Sequence, residues 1–351
     1  MSKVRLGFLG CGYMGQNAHL QNYAALDSCE IVGVTDLRMK QAEKVAQAYF
    51  IPKVYGSAAE MLADPKIDAI VASQPFRNHV NVVCDVLNAG KHILTEKPLC
   101  VYHQNGRALV DCAAKNKKIH MIANHKRSDL AVEYAVDVIK KWKASGKMGG
   151  MNYVRLVMPP GDWISGASGV NKPIATDEPY PDIPEEPMPA GMDAETSKKH
   201  IAFVNYYIHQ VNLMRHLLGE EYKLTFGDRR GVLLAVESES GVTGTIEMAT
   251  FSTSDDWQES ALVCFQKGYV HIDLPAPLVS QRSGKVSVFS ESGSGGSYTA
   301  PVLPNVSAMR NQAKNFIRAI KGEIVPPCSS GEAIKDLVFA EEYINYMKRY
   351  A

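Results

Sequence analysis

The triplet Glu96-Lys97-Pro98 combines residues suited to proton transfer with a forced change of chain direction. It follows Gly90-Lys91-His92-Ile93-Leu94-Thr95, in which His92 to Thr95 reads as a short strand. A strand with helical patterns on both sides implies a parallel sheet, and ligands of open parallel sheets bind just outside the carboxyl ends of the strands. Glu96 and Lys97 fall at that edge. Pro98 has no amide donor and fixes its own φ, so the ladder stops and Lys97 is left at the lip. An amine presented there can take or deliver a proton. The same three residues also fit a solvated charge pair before a turn.

A second chemical signal opens the chain. The apolar run Val4 to Leu9 is followed at once by Gly10-Cys11-Gly12-Tyr13-Met14-Gly15 and a helical pattern through Leu26. In that context G-x-G-x-x-G has a mechanism. Gly10 allows the tight turn, Gly12 lets backbone approach a pyrophosphate, and Gly15 lets helix and strand pack closely, while the first helical turn, with Tyr13 and Met14, supplies amide donors. About 20 residues on, as the dinucleotide fingerprint requires, the run Ile31 to Thr35 ends in Asp36. A carboxylate there accepts from the ribose hydroxyls of NAD and repels a 2′-phosphate. Arg38, two residues further, is a guanidinium able to accept that phosphate, so NAD is favoured and NADP stays open.

The elements that must position these groups alternate. Helix Met39 to Tyr49, strand Lys53 to Tyr55, a short helix opening at Ser57 and strand Ala69 to Ala72 come first, and Ser73-Gln74-Pro75 breaks that strand at its carboxyl end. Helix Asn78 to Asn88 stops at Gly90, helix Gln104 to Asn116 follows the Lys97 turn, and Ile119 to Ala123 is a sixth strand. Six strands with crossover helices predict an α/β, doubly wound Rossmann domain.

Beyond it, Asn124-His125-Lys126-Arg127-Ser128-Asp129 is a polar cluster on the same edge as Lys97, placed to bind substrate hydroxyls or to solvate a domain joint. A helix from Leu130 to Ser145 and a turn at 146–150 lead into a β-rich half that opens with Met151 to Met158. Residues 159–198 lose all periodicity and hold eight of the eighteen prolines, which reads as a lid or arm. Within it, Trp163 either stacks on a sugar ring or pins the loop. Residues 199–219 read as one helix with Asn205, His209, Asn212 and His216 on a single face. Strands follow at Val232 to Glu237, Val242 to Thr250, Ala261 to Phe265, Tyr269 to Ile272 and Val286 to Phe289. Ser292 to Ser297 reads as a flexible Gly/Ser segment, and helices Ser307 to Lys321 and Glu332 to Arg349 close the chain. The expected second domain is therefore α+β with a large, mostly antiparallel sheet.

A length of 351 residues suits two domains, 1–124 for NAD(P) and 125–351 for substrate and oligomerisation, with 159–198 as the arm. A net charge of +1 without like-charge runs carries no nucleic-acid footprint. The start Met1-Ser2-Lys3 leads directly into a strand without a signal-peptide pattern, and no window approaches a membrane span, so a cytoplasmic protein is expected. Seven scattered cysteines without C-x-x-C read as reduced thiols, and ten histidines without H-E-x-x-H spacing give no expectation of a metal.

Gly10-x-Gly12-x-x-Gly15, Asp36, Pro75 with His79 four residues later, Ala89-Gly90-Lys91-His92 and above all Glu96-Lys97-Pro98 resemble the Gfo/Idh/MocA family (glucose-fructose oxidoreductase, inositol dehydrogenase and relatives) throughout the amino-terminal half. The resemblance implies a cofactor site of Gly10, Gly12, Tyr13, Met14, Gly15, Asp36, Arg38, Ser73, Gln74, His79, Glu96 and Lys97. It places Lys97 at nicotinamide and substrate, with its pKa lowered from about 10.4 toward 7 or 8. It also implies an acid and, four residues on, a histidine before Leu-Leu-Gly. His209 matches the histidine, Asn205 stands where the acid is expected, and Lys199 and His200 replace glycines. Lys97, His209 and Asn205 are thus the catalytic candidates, and Lys97, Asn124, Lys126, Arg127, Trp163, His200 and His209 the substrate contacts. The implied activity is oxidation of a secondary ring hydroxyl of a sugar, inositol or glycoside, the last at C3. The alternatives are an NAD-dependent glycosidase working through transient C3 oxidation and a non-catalytic NAD-sensing regulator. The implied partners are a small carbohydrate and further copies of the chain, joined through the carboxyl-terminal sheet.

Overall fold

The computed structural model describes residues 2–165, 173–248, 255–293 and 295–350. The chain forms two units, one of Met1–Asn124, Val170–Asn205 and Gln312–Val338, the other of His125–Gly169, Tyr206–Asn311 and Phe339–Ala351. Two segments from beyond Asn124 therefore return to the first unit.

The first unit is built on a parallel sheet of five strands, β1 (Val4–Leu9), β2 (Cys29–Thr35), β3 (Ala69–Ala72), β4 (His92–Thr95) and β5 (His120–Ile122), in the order β2-β1-β3-β4-β5. Parallel neighbours require crossovers. These are supplied by α1 (Gln21–Tyr23), which continues a wider π-type turn over Gly15–Leu20, and by α2 (Met39–Tyr49), α3 (Ala58–Ala63), α4 (His79–Asn88) and α5 (His103–Asn116). Ser57 accepts from the Glu60 amide at 3.1 Å and so caps α3. The strand expected at Lys53 to Tyr55 is corrected to a single bridge between Val54 and Val34, so five strands stand where six were expected. Pro52 and Gly56 flank those three residues and leave no room for a longer ladder.

The second unit begins with α6 (Leu130–Ser145) and β6 (Met151–Val157). After it the chain forms α7 (Ala194–Tyr206) and α8 (Ile208–Leu218). These replace the single helix expected over 199–219, because the chain turns at Tyr207, the N-cap residue of α8. Strands β7 (Tyr222–Gly227), β8 (Leu233–Ser238), β9 (Thr243–Glu247), β10 (Ser260–Phe265), β11 (Gly268–Asp273), β12 (Lys285–Ser292) and β13 (Gly295–Thr299) join β6 in the order β13-β12-β11-β10-β6-β9-β8-β7. All neighbours are antiparallel except β6 and β9. The end of the expected strand at Ala249-Thr250 lies outside the described residues. The Gly/Ser segment read as flexible contributes to an edge strand, with Tyr298 opposite Phe289. Its pairing needs main-chain groups only, and a Cβ at Gly296 would meet the Phe289 ring at 2.8 Å.

Helices α9 (Ala308–Ile320) and α10 (Ser330–Met347) end the chain. The first unit's core takes Leu6, Phe8, Val34, Val71, Leu94 and Met121 from its strands, Leu20 and Val45 from helical segments, and Ala313, Phe316 and Ile317 from α9. Its strands are apolar on both faces because helices cover both. Among the described residues no helix is long and apolar enough to cross a membrane.

Phe316 has no exposed surface, so Phe316→Ala should cost about 3–5 kcal/mol. Urea unfolding followed by circular dichroism would read this as a lower midpoint at an unchanged slope, and a shift below about 1 kcal/mol would place α9 outside that core.

Candidate active site

The strand order reverses its winding between β1 and β3, and that switch point opens a crevice at their carboxyl ends. Gly10 leaves β1 there with φ +90° and donates to the Thr35 carbonyl at 2.8 Å. A Cβ on Gly10 would lie 2.4 Å from the Ser73 carbonyl, and one on Gly15 would lie 2.8 Å from the Gly10 carbonyl. Both positions therefore need glycine. Tyr13 and Met14 form the first turn of the helix that follows, whose leading amides are the ones an anion meets. Asp36 receives the Cys11 amide on Oδ2 at 2.9 Å and the Arg38 amide on Oδ1 at 3.0 Å, so its carboxylate is oriented before any ligand arrives. Gln74 Oε1 is buried without a partner among the described residues, an acceptor suited to a ligand's donor. These groups fit a dinucleotide: Gly10, Gly12 and Gly15 would cradle its phosphates, Asp36 would take the ribose hydroxyls, and Ser73 and Gln74 would form the opposite wall.

Beside the cradle, the π-type turn directs His19 inward, where its Nε2 donates to Glu96 Oε1 at 2.7 Å. Glu96 Oε2 accepts the Lys97 amide at 3.2 Å. Burial pushes the Glu96 carboxyl up, but the hydrogen bond and charge of His19, with Lys97 alongside, outweigh it and hold the carboxyl below its usual range. Lys97 Nζ donates to the Asn205 carbonyl at 2.5 Å. The carbonyls of a helix's last turn lack intrahelical partners, and Asn205 lies next to the end of α7. It is the main chain of Asn205 that meets the lysine, while the residue itself is exposed.

The turn after Lys97 is fastened from several sides. His79 Nδ1 donates to the Leu99 carbonyl at 3.0 Å. Burial holds its pKa down against the hydrogen bonds and the Glu96 charge. It is wholly buried beside this turn. Glu186 accepts the amides of Val101 at 2.6 Å and Tyr102 at 2.9 Å. His200 Nε2 donates to the Val101 carbonyl at 2.8 Å, and its ring stacks on Tyr102, whose hydroxyl meets Ser197. Fully buried, His200 anchors α7 to the turn, which corrects its expected role as a substrate contact. Asn124 donates to Cys328 Sγ at 3.3 Å, while its Oδ1 is buried without a partner among the described residues and stays available to a ligand.

In the second unit the polar cluster and the polar face of α8 meet. His125 packs edge-on against His209 with ring centroids 4.7 Å apart, and Arg127 Nε donates to Asn212 Oδ1 at 2.6 Å. Burial, followed by the charges of Arg127 and Lys140, takes His216 down to about 3, so it is neutral. Lys126 pairs with Glu259, which also accepts from Gln210 at 2.8 Å and Trp257 at 3.2 Å. Lys126 and Arg127 are therefore buried and engaged within their own unit. The expected arm divides. Trp163 lies in an exposed turn of this unit, residues 166–172 are outside the described residues, and residues 173–193 run along the first unit. Sequence reasoning missed His19, Glu186 and Glu259; only His19, four residues past Gly15, had a positional signal. Among the described residues no group of three His, Cys, Asp or Glu is placed to hold a metal.

Parallel sheet, glycine cradle and ribose carboxylate define a dinucleotide-binding Rossmann protein. Residues 4–125 match the Gfo/Idh/MocA family, described as an oxidoreductase family with an NAD-binding Rossmann fold. The myo-inositol 2-dehydrogenase of Thermotoga maritima is 22% identical over 70% of this chain and 63% of that protein, so the match spans less than two thirds of that relative. The inositol 2-dehydrogenase of Rhizobium meliloti is 26% identical over 94% of this chain and 93% of the other. A levoglucosan dehydrogenase solved with NADH and levoglucosan shares the fold, with a TM-score of 0.71 at 16% identity over 100% of this chain and 98% of that one. The likeness to the Gfo/Idh/MocA oxidoreductases is thus carried by residues 4–125, the NAD-binding part of the chain.

The depressed Glu96 pKa fixes the sign of a pH effect. Its contribution is fully present above the unfolded value of about 4.3 and is lost as pH falls through the folded value. At pH 7, Glu96→Gln should lose about 1.5–3 kcal/mol, and the gap to wild type should close below about pH 4. Thermal melts of both proteins at matched pH would show this; a gap constant down to pH 3 would mean that the charge is not what stabilises the turn.

Proposed function

We propose that the chain is an NAD(P)-dependent dehydrogenase that oxidises a secondary ring hydroxyl of a sugar, inositol or glycoside to the ketone, with Lys97 accepting the hydroxyl proton. The observation that carries this reading is the Lys97 amine held on the Asn205 carbonyl at the carboxyl end of β4, in the same unit as the glycine cradle and Asp36. When bound, the oxidised nicotinamide supplies the hydride acceptor. Everything else falls to side chains of the protein. Asp36 and the cradle fix the nucleotide, and Glu96, itself held by His19, fixes the backbone of Lys97. Lys97 then presents an amine of restricted freedom to the substrate hydroxyl, and a base fixed in place is worth about 10²–10⁴ in rate.

In this reading His209 gives an imidazole hydrogen bond to a substrate oxygen, with the His125 ring against it limiting its rotation. The finer substrate assignment is C3 of a glycoside; the exposed indole of Trp163, a surface suited to a pyranose face, supports it. The eight-stranded sheet is the proposed contact of a homo-oligomer.

Sugars, inositols and glycosides screened with NAD⁺ and NADP⁺ should include at least one that produces the near-ultraviolet absorbance of reduced nicotinamide. Product formed without that absorbance would select the NAD-dependent glycosidase instead. Lys97→Met should keep nucleotide binding and lose turnover by at least about 10², and a near wild-type rate would remove the mechanism. Asn205→Ala, which keeps the carbonyl, should stay within about threefold of wild type in kcat/KM.

A further inference from the structure

The arm that crosses the first unit passes the end of β2, where a Rossmann protein distinguishes a ribose 2′-hydroxyl from a 2′-phosphate. Its course there is fixed by polar contacts. The Ile174 amide donates to Gln16 Oε1 at 2.8 Å, and the Ile174 carbonyl accepts from Gln16 Nε2 at 3.0 Å and from Gln41 Nε2. Four residues later Glu178 accepts the amides of Lys40 at 3.2 Å and Gln41 at 3.1 Å, with the Thr176 hydroxyl donating to its Oε2 at 3.1 Å. No side chain at the α2 N-cap position, Arg38, satisfies those amides. The arm carboxylate does so from 137 residues away. Two residues on, the Tyr180 ring lies 4.0 Å from the Arg38 guanidinium carbon, and its hydroxyl accepts from an Arg38 terminal nitrogen at 3.1 Å. Arg38 Nε faces Asp36 Oδ1 at 3.4 Å, which leaves the Arg38 side chain only 12% exposed.

We infer that Glu178 and Tyr180 are cofactor-selecting residues that bias the site toward a 2′-hydroxyl. A 2′-phosphate needs a cation with an open fork and unoccupied amide donors. At the end of β2 the arm has taken both kinds. Tyr180 and Asp36 hold the one guanidinium of the Asp36-Leu37-Arg38 turn, and Glu178 fills the first-turn amides of α2 with a negative charge. A dianionic phosphate would have to displace a carboxylate and release an arginine, whereas a ribose hydroxyl needs only Asp36. Arg38 alone left the choice between NAD and NADP open; the arm turns that arginine away from phosphate. The inference rests on the dinucleotide-binding reading and not on any particular substrate.

The test is calorimetric titration of the full chain with NADH and with NADPH, which needs no turnover. In Glu178→Ala/Tyr180→Ala the ratio of the NADPH to the NADH dissociation constant should fall about tenfold, as expected for one regained charged hydrogen bond. Adding Arg38→Ala should abolish the gain. A ratio within about twofold of wild type overturns the inference whether both affinities fall, making the arm mere support, or rise, making it a plug. If the double variant does not fold, the near-isosteric Glu178→Gln and Tyr180→Phe must each lower the ratio, and an unchanged ratio in both again overturns the inference. A wild-type chain that binds neither nucleotide would sink the dinucleotide reading along with it, and the wild-type titration alone tells the two failures apart.

Discussion

A lysine is useful as a base only where its position is fixed, and the freedom of its long side chain costs about 1.5–2 kcal/mol to remove. Here the fixing is done at both ends. The backbone of Lys97 is tied to Glu96, which is buried and tied to His19, and the amine rests on a carbonyl near the end of α7. That carbonyl is a useful anchor only if α7 is itself immobile on the turn, which the stacking of His200 on Tyr102 and the bond between Ser197 and Tyr102 ensure. Glu186 holds the same turn from 85 residues downstream. The geometry of one amine therefore depends on a segment that shares no local pattern with it.

The same fact explains what could be read from the sequence. The strands, the crossover helices and the glycine cradle were legible because they follow from local rules: apolar runs buried on both faces, missing Cβ atoms, a proline without a donor. Gly10 and Pro98 could be assigned from their neighbours alone. The break at Tyr207 has no glycine or proline to announce it, so one helix was expected where two exist. Edge strand β13 was misread because glycine and serine lack strand propensity, although pairing at an edge uses main-chain groups they possess. Glu186 and Glu259 were invisible for a different reason. Each binds donors far away in the chain, and a lone carboxylate in a polar stretch most often faces water.

Charge is handled alike in both units. Glu259 is buried against Lys126, an arrangement whose desolvation cost is recovered only when the remaining lone pairs are satisfied. Gln210 and Trp257 satisfy them. In the first unit Asp36 is oriented by two amides, Glu96 by an imidazole and an amide, and Glu178 by the start of a helix. None of these carboxylates depends on a single partner, so each keeps its direction if one contact loosens. That redundancy suits a site that must accept and release a highly charged nucleotide.

The contribution of α9 to the first unit's core bears on how the protein is made. Phe316, Ala313 and Ile317 fill the space beneath strands that end at Ile122, nearly two hundred residues earlier in synthesis. At about 5–20 residues per second the ribosome takes roughly 10–40 s to supply them. For that interval the nascent sheet has its central strands but an apolar gap on one face, the kind of surface that chaperones retain. Completion of that core must therefore wait until α9 has been synthesised, and a chain cut short before Ala308 would carry the cofactor signature without a finished core beneath it.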